Sequence, residues 1–240
     1  MCRAIIAMAL TFCPAILSTL MTSSHAFSAS EQAAVYRAIR ERRDVRRFLK
    51  KPVEDATVQR LLHAAAHAPS VGYMQPWNFI VIRDKDVRSQ IHQAFVRANE
   101  EAQAMFKDER QAQYAALKLE GILESDLNLC ITCDRSRFGP VVLGRTCQPD
   151  MDLYSSVCAV QNLWLAARAE GIGVGWVSII KPEELRSILQ LPDPVTPIAY
   201  LCIGHTDAFA PEPELKTKGW LPQIPISDLI FNDLWGKKAG

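Results

Sequence analysis

The chain has 240 residues, of which 49% are hydrophobic and 22% are charged. This composition favours one globular domain, with or without a lid, that has enough apolar material for a large core. The formal net charge of +1 supplies no field that would gather nucleic acid or an anionic membrane, so we expect neither as a partner.

The first residues have the layout of a secretory signal. Arg3 precedes an apolar run that reaches Met21, and a small-x-small cleavage motif ends at Ala26. Met21 also begins a sensible shorter protein, so an over-extended start is the alternative that we prefer to a working signal. We therefore expect a leader over residues 1–26, one domain over residues 27–240 and a cytoplasmic location, with export left open.

The cysteines and histidines do not predict a disulfide framework or a metal site. The seven cysteines are odd in number and lie in apolar surroundings, which favours a reducing compartment. Cys130 and Cys133 form a C-x-x-C within a segment that alternates as a strand does, which places their sulfurs on opposite faces. His63 and His67 share one face of a helix, but the sequence offers them no third ligand.

Apolar periodicity and turn residues predict helices and strands that alternate irregularly. In chain order they are helices over residues 31–43 and 56–67, a strand over 77–82, a helical insert over about 85–123, a strand over 128–133, a buried helix over 151–170, a strand over 174–180, a short helix over 182–189 and a strand over 198–203. No Gly-x-Gly-x-x-Gly opens a helix after a strand, which excludes a Rossmann site. The predicted fold class is α+β, with a mixed central sheet wrapped by helices.

The helical insert is charged and rich in alanine, with a predicted break near Lys107 and Asp108. It has few large apolar residues after Phe106. A segment that buries little of itself is a candidate lid, ordered by a neighbouring subunit or by a ligand.

A first candidate binding motif follows the first helix, at Arg42, Arg43, Asp44 and Arg46. The planar fork of donors in arginine suits phosphate oxygens, and donors at this spacing can converge from a helix end and the turn after it. The alternative is a solvated basic helix end in which Asp44 is only an ion-pair partner.

Two further motifs could contact a flat ligand. The loop at residues 68–77 offers donors from its amides, from Ser70 and from Gln75, and Gly72 permits close approach of the backbone. The segment at residues 171–178 has three glycines at alternate positions and ends at Ser178. The alternatives are an ordinary turn before a strand and a structural hydroxyl that bonds a nearby carbonyl.

These three motifs, in this order, resemble those of the nitroreductase-like flavoproteins. In that family an Arg-Arg-(Ser or Asp)-x-Arg element binds the phosphate and the pyrimidine side of FMN. A Pro-Ser-x-x-x-x-Gln-Pro-Trp loop from the partner subunit covers the ring, and a glycine-containing strand reaches its N5 edge. The resemblance implies a three-layer α-β-α fold and a homodimer with two FMN sites at its interface.

Finer similarity is to the 5,6-dimethylbenzimidazole synthase branch of that family. It rests on Asp44 in the arginine motif, on Leu-Lys-Leu-Glu-Gly-Ile at residues 117–122 and on Gly-Val-Gly-Trp-Val-Ser at residues 173–178. The branch uses reduced FMN as a substrate and dioxygen as a co-substrate. It fragments the flavin into 5,6-dimethylbenzimidazole, the lower ligand of cobalamin, and erythrose 4-phosphate.

The resemblance also implies roles for individual residues. Asp44 is the base that removes a proton near the pyrimidine side of the ring, and Ser178 donates and relays protons at the N5 edge. The residues implied to surround the flavin are Arg42, Arg43, Arg46, Pro69, Ser70, Gly72, Gln75, Met105, Arg110, Lys118, Leu119, Gly175, Trp176 and Val177.

The helical insert is implied to exclude water from the reaction and to hinder nicotinamide, so a separate flavin reductase is the expected source of reduced FMN. Three positions depart from the pattern of the relatives. Cys147 stands where histidine is common, and Leu221 and Gln223 replace arginines. The last two departures shift phosphate binding onto the arginine motif.

Two other functions use the same fold. One is an NAD(P)H-dependent nitroreductase or flavin reductase, in which nicotinamide would rapidly bleach bound FMN. The other is a flavin-binding protein without enzymatic activity, which would hold oxidised FMN without an oxygen-dependent product.

Overall fold

A computed structural model describes residues 25–238. The predicted leader lies outside the described residues except for its last two, so the predicted boundary stays a prediction. The chain divides into one unit that ends at Tyr36 and a second that begins at Arg37, and the site described below lies in the second unit. Within residues 25–238, no helix is both long enough and apolar enough to cross a membrane.

The described residues form eight α-helices and four β-strands. In chain order these are α1 (Ala29–Glu41), α2 (Asp55–Ala66), β1 (Trp77–Ile82), α3 (Lys85–Ala104), α4 (Asp108–Ala115), β2 (Leu127–Asp134), α5 (Met151–Ala169), β3 (Ile172–Val177), α6 (Pro182–Ile188), β4 (Val195–His205), α7 (Glu214–Thr217) and α8 (Ile226–Leu229). Every element predicted from the sequence is present, and the insert breaks between α3 and α4 at the predicted place.

Two strands have ends that the sequence pattern misplaces. β3 begins earlier than predicted because Ile172 already pairs with His205 of β4, and that register is set by the partner strand. β4 extends upstream of Pro197 because this proline lies where the register with β2 shifts, next to Thr132. A proline without an N–H is tolerated at such an irregularity, although it usually marks a strand end.

The strands form one sheet in the order β1-β2-β4-β3, and neighbouring strands are antiparallel. The sheet is therefore antiparallel, whereas a mixed sheet was predicted. A parallel pairing occurs in the isolated bridge between Asp44 and Val174, beside β3. α1 ends at Glu41, before the arginine motif, because residues 44–46 are extended and run beside β3.

Helices cover both faces of the sheet. One hydrophobic core, which includes Leu61 of α2 and Leu163 of α5, lies on one face, and a second core, which includes Ile91 of α3 and Leu185 of α6, lies on the other. Cys130 belongs to the second core, whereas Cys133 contacts Ser156 of α5 on the opposite face. The three-layer α-β-α fold and the opposite orientation of the two thiols are therefore confirmed.

Candidate active site

The arginine motif is held against β3 by its own backbone. The amide of Val45 donates to the carbonyl of Val174, with 3.0 Å between nitrogen and oxygen. A Cβ atom placed on Gly175 would lie 2.1 Å from the carbonyl oxygen of Val45 and 2.6 Å from Nη1 of Arg46. Glycine is therefore needed here because the chain at residues 45–46 occupies the space, a reason that the sequence pattern alone did not reveal.

Asp44 and Arg46 form a pair at the edge of β3. Oδ1 of Asp44 accepts a hydrogen bond from the backbone amide of Trp176 at 3.2 Å and lies 3.1 Å from Nη2 of Arg46. Nη2 of Arg46 also donates to the carbonyl of Trp176 at 2.8 Å. Nearly half of the Asp44 side chain is exposed, so the carboxylate is positioned and still open to a ligand.

The other two arginines of the motif point in different directions. Nη1 of Arg43 donates to the carbonyls of Arg40 and Arg42, both at 2.7 Å. The guanidinium of Arg42 lies 4.4 Å from the ring centre of Trp164, and the indole nitrogen of Trp164 donates to the carbonyl of Arg43. Sequence reasoning did not assign Trp164 to the site. The residue lies in α5, and the apolar pattern of that helix indicated only that its side chains are buried.

Two guanidinium nitrogens in this region are buried and unpaired within the described part of the chain, Nε of Arg43 and Nη1 of Arg46. A buried donor without a partner costs free energy, so each of these nitrogens calls for a partner such as a water molecule, an ion or a ligand. These two donors suit an anionic oxygen.

A cavity of about 360 Å³ lies next to the motif. Its walls come from the end of α1, the segment after α4 and the C-terminal segment around α7. The lining residues are Ile39, Arg40, Arg42, Arg43, Asp44, Arg46, Leu117, Lys118, Leu119, Ala210, Glu212, Pro213, Glu214 and Leu215. Six of the residues expected at the site therefore meet in one cavity, and the C-terminal wall is an addition that no motif indicated.

Lys118 adds a further positive charge to this cavity. Its Nζ lies 2.6 Å from Oε1 of Glu124 and 3.8 Å from Oε1 of Glu120. Lys118 and the arginines make the cavity cationic. Hydrogen bonds to backbone carbonyls and ion pairs with carboxylates hold these cationic side chains in place. Such a donor set fits the phosphate ester of a nucleotide.

The loop at residues 70–75 is tightly folded. Gly72, Tyr73 and Gln75 have φ angles of 52°, 54° and 46°. Oγ of Ser70 accepts from the amide of Gln75 at 3.0 Å, which closes the loop. Left-handed backbone at residues other than glycine stores strain, and such strain concentrates at functional sites. This loop lies outside the cationic cavity of its own chain.

Ser178 lies just after the end of β3 and is exposed. It lines a separate hollow of about 180 Å³ together with Trp176 and Val177. The structure of one chain thus places Asp44 and Ser178 in different cavities, and the backbone of Trp176 connects them.

The expected lid residues divide into two groups. Lys118 and Leu119 line the cationic cavity, whereas Met105 is largely exposed and Arg110 contacts Trp220. The role of Arg110 and Met105 at a flavin stays a prediction. Sequence reasoning did not identify Trp220 as a neighbour of Arg110, because the two residues are more than a hundred positions apart.

The buried thiols of the sheet are not candidates for nucleophilic chemistry. Burial raises the pKa of Cys130 and that of Cys202 to about 12. Burial also raises the pKa of Tyr200, whose hydroxyl donates to Oδ1 of Asn128 at 2.6 Å. These groups stay protonated at neutral pH, so the polar chemistry is left to the edge of β3.

Comparison with known proteins identifies the family of this chain. The Nitroreductase family pattern matches residues 39–205. The chain is 45% identical over 184 residues to the 5,6-dimethylbenzimidazole synthase of Rhodospirillum rubrum, covering 77% of this chain and 87% of that protein. It is 34% identical over 199 residues to the enzyme of the same name from Rhodobacter capsulatus, covering 83% and 96%.

Solved structures show the same fold. Iodotyrosine deiodinase bound to FMN and 3-iodo-L-tyrosine matches with a TM-score of 0.63 at 21% identity, covering 74% of this chain and 92% of that one. A nitroreductase-like protein from Bacillus cereus matches with a TM-score of 0.59 at 23% identity, covering 84% and 96%. The chain therefore belongs to the nitroreductase family and, within it, to the 5,6-dimethylbenzimidazole synthase branch.

Proposed function

We propose that this protein converts reduced FMN and dioxygen into 5,6-dimethylbenzimidazole, the lower ligand of cobalamin, and erythrose 4-phosphate. The observation that carries the proposal is the Asp44 carboxylate, which is fixed between Arg46 and the Trp176 amide at the wall of a cationic cavity. A nitroreductase that only passes electrons through a bound flavin has no need of a base at this position.

Reduced FMN binds in this proposal as a substrate. Arg42, Arg43 and Lys118 hold the phosphate, and the unpaired Nε of Arg43 supplies a donor that is already buried. Arg46 contributes its unpaired Nη1 on the side that faces β3. Because these four residues line one cavity, one phosphate group can interact with several of them.

Asp44 removes a proton at the ribityl C1′ carbon of the substrate, and Ser178 donates and relays protons at the N5 edge. The base is poised for this step because its carboxylate is held by one amide and one guanidinium and keeps an open side. The flavin supplies the electrons that reduce dioxygen, and the insert excludes water while it does so.

We infer that the site is completed in a homodimer. The loop at residues 70–75 lies outside the cavity of its own chain, so a second copy must supply it if it covers the ring. Beside that loop, Tyr73, Phe138, Val141 and Leu143 are each more than 70% exposed. Exposed large apolar side chains that are grouped in this way are typical of an interface between subunits.

Light scattering tests the dimer. Leu143→Asp should yield a monomer with weakened FMN binding, because a carboxylate would be buried at the interface. Leu49→Asp is the matched control. Leu49 is also exposed, but it lies beside the charged residues Lys50 and Lys51 and away from the apolar side chains around the loop. A monomeric wild-type protein would contradict the inference.

Product analysis tests the reaction. The protein is incubated aerobically with reduced FMN, and 5,6-dimethylbenzimidazole is quantified by chromatography and mass spectrometry. Formation of the product in proportion to enzyme supports the proposal. Rapid bleaching of bound FMN by NAD(P)H, with turnover of nitroaromatics and no benzimidazole, would instead favour the nitroreductase. Stable binding of oxidised FMN without any product would favour a binding protein.

The same assay tests the need for a partner reductase. NAD(P)H alone should support little product formation, and addition of a flavin reductase with FMN should restore it. Equal product formation with and without the reductase would contradict a separate electron source.

A further inference from the structure

An aromatic cluster joins the helical insert to the C-terminal segment. The ring centre of Trp220 lies 5.3 Å from that of Phe106 and 6.1 Å from that of Tyr114, both edge to face. Phe106 and Tyr114 also stack on each other at 5.1 Å. Edge-to-face and stacked pairs at these distances are attractive beyond the area that they bury.

Arg110, on α4 of the insert, also contacts Trp220 of this cluster. Its guanidinium carbon lies 3.6 Å from the ring centre of Trp220, and its Nη2 donates to the carbonyl of Trp220 at 2.7 Å. The amide of Trp220 donates in turn to the carbonyl of Leu215 at 2.9 Å. Trp220 is thus hydrogen-bonded to Arg110 of the insert and to Leu215 of α7.

These two segments both line the cationic cavity. The insert supplies Leu117, Lys118 and Leu119, and the C-terminal segment supplies residues 212–215. The two segments are far apart in the sequence, and Trp220 joins them in the fold.

Residues 106–116 have few other contacts, whereas α3 and Ile122, at the two ends of the insert, are buried in the second core. α4 is eight residues long and buries one side chain, Tyr114, whose hydroxyl donates to Oδ1 of Asn99 on α3 at 2.8 Å. A helix of this length is marginal in water by itself, so its position depends on tertiary contacts. The contacts with Trp220 are therefore in a position to decide where the cavity wall after α4 lies.

We propose that Trp220 is a positioning residue that holds Lys118 and Leu119 at the substrate cavity by anchoring Phe106, Arg110 and Tyr114. The proposal rests on the proposed function for its activity readout. When the anchor is lost, the insert opens and water reaches the flavin. Reduced FMN then passes two electrons and two protons to dioxygen, which gives oxidised FMN and hydrogen peroxide and no benzimidazole.

The test compares Trp220→Ala, Trp220→Phe and the wild type in the full-length protein. The first readout is tryptic cleavage at Lys107 and Lys118, mapped by mass spectrometry. The second is the amount of 5,6-dimethylbenzimidazole formed per reduced FMN consumed, and the third is the Kd for oxidised FMN from flavin fluorescence. Trp235→Ala is the matched control, because Trp235 is exposed and lies outside the cluster.

We expect Trp220→Ala to speed cleavage in the insert and to lower the product yield per FMN by about tenfold each, since a cation–π contact and two aromatic pairs are lost. Trp220→Phe keeps a ring for these contacts and should recover most of both. Arg110→Met, on the surface of α4, should reproduce the faster cleavage at Lys107 and Lys118 should Trp220→Ala fail to fold.

Wild-type cleavage and wild-type yield in Trp220→Ala would overturn the proposal. Loss of folding in both Trp220→Ala and Trp220→Phe, with wild-type cleavage in Arg110→Met, would overturn it as well, because the role would then be structural. If the wild type forms no benzimidazole, the proposed function fails, and the cleavage and FMN-binding comparisons still decide whether Trp220 anchors the insert.

Discussion

The carboxylate of Asp44 accepts a hydrogen bond from the backbone amide of Trp176, with 3.2 Å between Oδ1 and the nitrogen. Trp176 and Ser178 are two residues apart at the end of β3, so their Cα atoms are about 7 Å apart in extended backbone. The proposed base and the proposed proton donor are therefore positioned by one strand.

Asp44→Asn should abolish benzimidazole formation and leave FMN binding nearly intact. Asparagine has the same shape and can still accept from the Trp176 amide, but it cannot remove a proton. A missing general base lowers the rate by about 100-fold or more. Product formation from reduced FMN and the Kd for oxidised FMN are the two measurements, and full activity of the variant would remove Asp44 from the mechanism.

Ser178→Ala should lower product formation by about 100-fold, the usual loss when one preorganised donor to a developing charge is removed. Ser187→Ala is the matched control, since Ser187 is an exposed serine on α6. The control should keep wild-type activity. Equal activity in both variants would mean that the Ser178 hydroxyl is only structural.

Arg46→Lys should weaken FMN binding by about tenfold or more, since a charged hydrogen bond is worth about 1.5–3 kcal/mol. Lysine keeps the charge but lacks the planar guanidinium group, which can hydrogen-bond Trp176, Asp44 and a ligand at the same time. Arg47→Lys is the neighbouring control, because Arg47 is mostly exposed and its ion pair with Glu214 is long, at 3.9 Å. Titration of flavin fluorescence measures both variants, and equal Kd values would exclude Arg46 from the site.

Gly175→Ala should destabilise the fold by about 1–3 kcal/mol, as overpacking does, and should also weaken FMN binding. The added methyl group would collide with Val45 and Arg46 and push the arginine motif away from β3. Gly171→Ala is the contrast, because Gly171 has open space around it and a φ of 73°. That variant should lose about 1–2 kcal/mol from its left-handed backbone without any change in FMN binding. Urea denaturation and flavin titration separate the two cases, and unaltered binding in Gly175→Ala would contradict the packing argument.

The free energy of unfolding should fall as pH rises above about 9. Cys130 and Cys202 have their pKa raised from 9.0 to about 12 in the folded protein, so between these values the unfolded chain releases protons that the folded chain keeps. This stabilisation is complete below the unfolded pKa and is lost toward the folded one, by at most about 1.4 kcal/mol per pH unit for each thiol.

Urea denaturation at pH 7, 9 and 10 measures this slope. Cys130→Ala and Cys202→Ala should each reduce it, whereas Cys147→Ala should not, because Cys147 is exposed. A slope that is the same in all three variants would contradict the assignment.

Much of the fold could be predicted from periodicity. The alternation in β2 predicts that Cys130 and Cys133 lie on opposite faces, and the break of the insert between α3 and α4 was also predictable. The sequence did not reveal that α3 and Ile122 of the insert belong to the second core. Strand ends were harder to predict, because the register of β3 and the tolerance of Pro197 depend on the partner strand β4.

The sequence by itself determined the arginine motif, the loop, the glycine-rich strand and the family to which they belong, because each is a local pattern of residue types. Only the tertiary structure decided that Gly175 makes room for Val45, that Arg42 lies on Trp164 and that Arg110 lies on Trp220. These contacts join residues more than a hundred positions apart, and local periodicity reports which side chains are buried without specifying their partners.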